Sequence, residues 1–433
     1  MTRRLYFILS PVLLFFALPL RSNAQQQDEY FSEGYMRYEN MIYKSNIKTV
    51  IFEKYGVQFS DPVITLGSGE QLFLSFDDLD GDFKSYAYTL IHCDASWHPT
   101  NLMPNEFLEG FYEEHIDNYE TSFNTIQKYT HYMLTLPGRD VRPMISGNYL
   151  LKIFVEGQND HPVITRRMMV LEPLVVVDAK VNRGTITDTR ETCHEIDFAI
   201  HYPAIKVANP FEDVKVVLRQ NNRWDNAIFG LKPLFLKDNL LEYDYEEGNI
   251  FKAGNEFRNF DATSLRLQSI YVKNIVEADN GFTVVLMPEI SRAFDRYVFE
   301  NDIDGNRLIR NQHVNNSDIE AEYVSVKFTL KHELLANGNF YVFGALSDWR
   351  TSKEFMMNYN PDENAYEALL YLKQGYYNYE YVFVADGKHV CDDTLVEGSH
   401  YETENNYSIL VYYRPLGGRY DKLVNYTKMN SKF

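Results

Sequence analysis

The densest cluster of reactive side chains in this sequence is Asp77-Asp78-Leu79-Asp80-Gly81-Asp82, whose oxygen content would suit a calcium loop. A helix-flanked calcium loop needs Gly at its sixth position and a bidentate Glu at its twelfth. With Gly81 sixth, the first position falls on Phe76, which has no oxygen ligand to offer. Asp302-Ile303-Asp304-Gly305-Asn306 comes nearer, yet its twelfth position is Asn311. Both runs are therefore expected to be tight turns, in which Asp caps the backbone and Gly supplies positive φ. His92-Cys93-Asp94 sets three reactive groups in a row, but neighbouring strand residues face opposite ways and cannot converge as a triad. Ser45-Asn46-Ile47-Lys48 matches the Ser-x-x-Lys of penicillin-recognising enzymes by letter alone, without companion motifs or helical context. His-x-x-x-His, Gly-x-Ser-x-Gly and a phosphate-cradling Gly-rich loop do not occur. Cys93, Cys193 and Cys391 contain no Cys-x-x-Cys pair for zinc and are too dispersed for a disulfide framework. Buried free thiols are expected, with a cross-domain bridge as the alternative in an oxidising compartment. The reading is of a non-catalytic chain with no cofactor and no metal.

The elements that carry these residues are strands. Leu72, Leu74 and Phe76 alternate before the Asp-rich turn, and Tyr86 to His92 is expected to return as the second strand of a hairpin. Asn148 to Val155 and Val163 to Leu171 form another expected hairpin. Ile196, Phe198 and Ile200 alternate, as do Val214, Val216 and Leu218; Val324, Val326, Phe328 and Leu330 do so most cleanly. Period two marks strands with one buried face, and no long amphipathic helix stands out. Pro173 cannot donate to a ladder and suggests one boundary; the polar run Asn311 to Asp318 suggests a second. The expected fold class is all-β, multi-domain, with three tandem β-sandwich (immunoglobulin-like) domains after a signal peptide: 1–24 signal, then 25–172, 173–318 and 319–433.

The export signal is read from Arg3 and Arg4, the apolar run Leu5 to Leu20 and the small residues of Ser22-Asn23-Ala24. That run falls short of the ~20 residues a spanning helix needs, so no direct lipid insertion is expected. The formal charge of −19 over 433 residues argues against nucleic acid, which requires clustered Lys and Arg. The expected location is the periplasm, at the inner face of the outer membrane.

From Leu72 to Leu171 the chain resembles the first domain of the type IX secretion plug family of Bacteroidetes. The resemblance is carried by Phe76-Asp77-Asp78-Leu79, Tyr86 to Asp94 with Trp97, Asn101-Leu102, Gly110-Phe111, Ser122 to Thr125, Tyr129-Thr130-His131-Tyr132, Leu136-Pro137 and Ser146 to Tyr149. It implies a subunit that binds the periplasmic opening of the large outer-membrane translocon β-barrel and closes it in the absence of cargo. A barrel wide enough for folded cargo leaks unless a bulky body fills its mouth. Tyr112, Tyr119, Phe123, Tyr129 and Tyr132 are the candidate partner-binding patch, since large rigid rings suit interfaces.

The last domain resembles immunoglobulin-like glycogen- and starch-binding modules through Asn339 to Gly344, Ser347-Asp348-Trp349 and Gly375 to Phe383. Trp349 and Tyr376 are the candidate glycan platform it implies. The alternative function is accordingly a periplasmic glycan-binding protein, an analogy at the level of fold.

Overall fold

The computed structural model describes residues 35–432; the expected signal peptide, 1–24, lies outside them. The described chain is nearly all β, and its helices are short pieces such as Pro104–Phe107 and Ser317–Glu320. None of the described helices is long and apolar enough to cross a membrane.

The first sandwich packs the sheet formed by Ile47–Lys54, Leu72–Asp78, Thr130–Leu136 and Asn118–Thr121 against Tyr86–Cys93, Gly147–Val155 and Pro162–Leu171. Alternation puts Leu72, Leu74 and Phe76 from one sheet against Tyr86, Tyr88 and Leu90 from the other, all of them buried. Gly147–Val155 and Pro162–Leu171 pair antiparallel as a hairpin, as expected. Leu72–Asp78 and Tyr86–Cys93 do not. The first pairs with Ile47–Lys54 and Thr130–Leu136, the second with Gly147–Val155. The Asp-rich turn therefore carries the chain across the sandwich from sheet to sheet, because both strands bury an apolar face and those faces must meet.

The chain leaves the first sandwich after Leu171, close to the expected boundary at 172, but the strands do not respect the expected boundary after 318. Arg258–Asp261 and Arg307–Ile309 pair with Gly375–Ala385, and Gly281–Leu286 pairs with Tyr323–Lys331. Those segments share one core around Phe260, Val326, Phe328, Phe340 and Tyr379. Asn311 to Asp318 is thus a loop inside this unit, and not a linker. Conversely, the final strands Asn406–Tyr413 and Lys422–Asn430 leave it, the former pairing with Val214–Gln220. Ile196, Phe198, Val216, Leu218, Ile409 and Val411 form the core they complete. The third sandwich is therefore inserted into the second, and the three units are not a simple tandem series. First and second units are also joined directly, through Leu171 beside Leu423 in a continuous ten-stranded sheet.

Each unit holds one cysteine. Cys93 and Cys193 are buried, Cys391 is half-buried, and none is bonded to another. Burial pushes the thiols of Cys93 and Cys391 up to about 12, so they stay protonated and unreactive at neutral pH.

Candidate functional site

The five aromatics expected to form one patch do not all share one exposed surface, although the Tyr119 and Tyr132 rings touch, with centroids 5.8 Å apart. Tyr129 and Tyr132 are 1% and 0% exposed, which removes them from any free surface. Tyr132 stacks on Phe76 with ring centroids 5.1 Å apart and accepts the Lys84 amide at 2.7 Å. Tyr129 donates its hydroxyl to the Ala321 carbonyl at 2.9 Å, across to the inserted sandwich. Tyr112, Tyr119 and Phe123 are exposed, with Tyr112 beside a different sheet from the segment that carries the other two. Tyr112 lies beside the strand Tyr86–Cys93, where its carbonyl accepts from Thr89 at 2.7 Å. Tyr119 sits on the edge strand Asn118–Thr121 of the opposite sheet and packs on exposed Phe83 at 4.8 Å. Phe123 is 58% exposed, and its amide donates to the Ile319 carbonyl at 2.8 Å, at the seam with the inserted unit. The sequence reading passed over Phe83 and Ile126, whose apolar side chains are exposed in the same region.

At that seam lies a polar node that turn chemistry did not anticipate. Asp77 is fully buried. Its carboxylate accepts from Lys373 Nζ at 2.6 Å and the Tyr323 hydroxyl at 2.7 Å, and lies 2.6 Å from His131 Nδ1. Lys373 also donates to the Asp318 carbonyl at 2.6 Å and lies 4.2 Å from the centre of the Tyr129 ring. Thr49 Oγ1 is 2.6 Å from the Tyr323 hydroxyl. Burial alone would raise the Asp77 carboxyl, but Lys373 and His131 outweigh it and hold it below the ordinary value. The node joins Asp77 and His131, on adjacent strands of the first unit, to Tyr323 and Lys373, on strands or strand ends of the inserted one. Its chemistry is that of a dock: the ammonium neutralises the carboxylate, and both are sealed from solvent. The sequence signal was present, since Asp77 and His131 both fall in the motifs quoted for the family resemblance, but it gave no pairing.

The acidic turns behave as turns. Ligand oxygens of Asp78, Asp80 and Asp82 lie within 4.8 Å of one another, and Lys84 Nζ already supplies their cation, 2.7 Å from Asp78 and 3.6 Å from Asp82. Asp302 accepts the Asp304 amide at 2.8 Å, and Gly305 takes φ +74°. A Cβ on Gly305 would come within 2.3 Å of the Trp349 ring, so glycine there admits the indole as well as making the turn. Trp349 is accordingly packed inward. It lies edge-on to Phe343 at 5.5 Å and Phe257 at 5.9 Å, with the Arg223 guanidinium 4.7 Å from the ring centre. Trp349 is half-buried and lines a cavity with Arg166, Arg219 and Arg307, so the expected glycan platform of Trp349 and Tyr376 does not appear as one exposed aromatic surface. Tyr376 is half-buried on the strand Gly375–Ala385, opposite Asp261 and Leu308 in the ladder, outside the lining of the cavity that Trp349 borders.

Residues 47–172 match the family model for the type 9 secretion system plug protein 1st domain. A crystal structure of a hypothetical protein from Parabacteroides merdae superposes with a TM-score of 0.88 at 35% identity, over 92% of this chain and 100% of that one. The Pseudomonas fluorescens alkylpurine DNA glycosylase AlkC aligns over 29% of this chain and 30% of its own at 11% identity, with a TM-score of 0.17. Salmonella alpha-2-macroglobulin aligns over 89% of this chain and 23% of its own at 8% identity, with a TM-score of 0.16. Neither of these two superpositions carries weight for fold or function. No curated protein matches.

Proposed function

We propose that this chain, which belongs to the type 9 secretion system plug protein family through its residues 47–172, is a plug-type component of that system and closes the periplasmic opening of the system's large outer-membrane β-barrel when no cargo is passing. The proposal extends to its place in the cell: periplasmic, held at the inner face of the outer membrane by the barrel it fills. The observation that carries the reading is the interlocked architecture. A stopper must resist deformation, and a domain inserted through two connections and docked through a buried ion pair has little freedom to swing. The role needs bulk and a complementary surface and no bond-making group. Asp77 and His131, the closest acid–histidine pair among the described residues, are tied into a buried dock with Lys373 instead of facing a substrate. Exposed Tyr119, Phe83 and Phe123 are the proposed contacts with the barrel.

Affinity isolation of the tagged protein from detergent-solubilised outer membrane tests this. Co-isolation of a very large β-barrel in near-equal amount is the expected result. Recovery of the protein alone under every growth condition would overturn it.

A further inference from the structure

Where the three sandwiches meet there is a cavity of about 160 Å³. Its lining includes Arg166 and Arg167 from the first unit, Arg219 from the second and Arg307 from the inserted one. Two carboxylates answer two of these charges. Asp61 takes Arg219 through both oxygens and also accepts from Tyr426. Asp348 takes Arg166 at 2.8 Å. The third carboxylate in the lining, Glu53, accepts the Phe59 amide at 2.9 Å, and burial raises its carboxyl, which weakens it as a counter-charge.

Arg167 and Arg307 are left over: among the described residues neither has a carboxylate within 4.0 Å. Arg167 donates to the Tyr38 carbonyl at 3.0 and 2.8 Å. Arg307 donates to the carbonyls of Val50, at 2.8 Å, and Ala345. Carbonyls satisfy N–H groups but do not neutralise charge, and Glu39, the acid that acts most on Arg167, is beyond contact distance and already paired with Arg350. The Nε atoms of Arg219 and Arg307 are, in addition, buried with no acceptor, and Arg219 is only 1% exposed. Aromatic packing fixes the positive groups in place: Arg167 lies 4.6 Å from the Trp97 ring and 4.9 Å from Trp224, and Arg219 lies 4.4 Å from Trp224.

We infer that this cavity is a binding site for a compact oxyanion, a phosphate or carboxylate group. Such a group supplies negative charge to Arg167 and Arg307 and acceptors to the two orphaned Nε donors, in the geometry guanidinium favours. Because every sandwich contributes a guanidinium, the bound anion also acts as a keystone between them. The site is independent of the barrel-closing role, so either can fail without the other.

Isothermal titration of the intact mature protein with inorganic phosphate and, separately, with acetate tests it, at ionic strength held constant with chloride. Saturable binding of one anion per chain is expected for at least one probe, and the stronger probe identifies the group as phosphate or carboxylate. Arg307→Gln should weaken it about tenfold or more, the loss expected for a charge-assisted hydrogen bond. Should that variant lose its fold, Arg307→Lys, which keeps the charge but lacks the Nε donor, is the one to measure, and a smaller loss is expected. Exchange of exposed Arg419 for Gln should change nothing. No saturable binding of either probe, or binding unchanged in the folded Arg307 variant, would overturn the inference.

Discussion

Two seams hold the inserted sandwich in place, and they are built on opposite electrostatic principles. At the seam with the first unit, Asp77 is buried among Lys373, His131 and Tyr323 and stays ionised because its partners outweigh burial. At the crossovers into the second unit, acids meet with too few cations. Burial first, and Asp302 as a neighbour, push Glu256 up to about 7 and Asp304 up to about 6. Glu256 accepts from the Tyr297 hydroxyl and Asp304 from Asn406 at 2.6 Å. A carboxyl held low stabilises the fold above its unfolded pKa and is lost as pH falls. One held high favours the fold while protonated, and that advantage disappears as pH rises through its folded value. One seam is therefore weakened by acid and the other by mild alkali, although both anchor the same domain.

The largest effect should come from Lys373→Met, which leaves the Asp77 carboxylate buried without its ammonium. Stability should fall by about 3–5 kcal/mol, read from denaturant midpoints, and protease should gain access around Phe123. A loss below about 1 kcal/mol would show that the node does not lock the seam. Next in size is the pH response. After correction for intrinsic rates, amide exchange at Phe257 and at His400 should speed up between pH 5 and pH 8. Exchange at Thr130 to Tyr132 should hold steady across that range and rise only below about pH 4, near the unfolded carboxyl value. Equal responses at both seams would erase the distinction between them. Glu256→Gln sharpens it: at pH 8 the variant should be more stable by about 1 kcal/mol, a figure discounted for solvent screening, and at pH 5 it should match the parent. The smallest effect on stability belongs to Phe123→Ser, within about 0.5 kcal/mol; its expected consequence is weaker capture of the barrel in pull-down.

Strand identity was legible in the sequence where alternation was clean, as at Val324 to Leu330, since a period of two follows from one buried face. Strand partnership was not. Leu72 to Phe76 and Tyr86 to His92 carry the same signal whether they pair with each other or face each other across a core, and only the rest of the sheet decides between the two. The insertion was hidden for a related reason. Asn406–Tyr413 pairs with Val214–Gln220 across nearly two hundred residues, and no local composition marks such a return. Asn311 to Asp318 has linker chemistry but serves as a loop. The dock was half visible: Asp77 and His131 stood out as motif residues, while Lys373 and Tyr323 looked like ordinary strand positions. Trp349 was recognisable as a special residue, yet its direction depended on Gly305, which sequence reading assigned to the turn alone.

The central claim is that this molecule is a rigid stopper for a protein-conducting pore. The most direct measurement is uptake of a large hydrophilic antibiotic by cells lacking the gene, compared with cells lacking both the gene and the barrel. Increased uptake in the single deletion, abolished when the barrel is also removed, is the outcome this account requires. Unchanged permeability in the single deletion would contradict it.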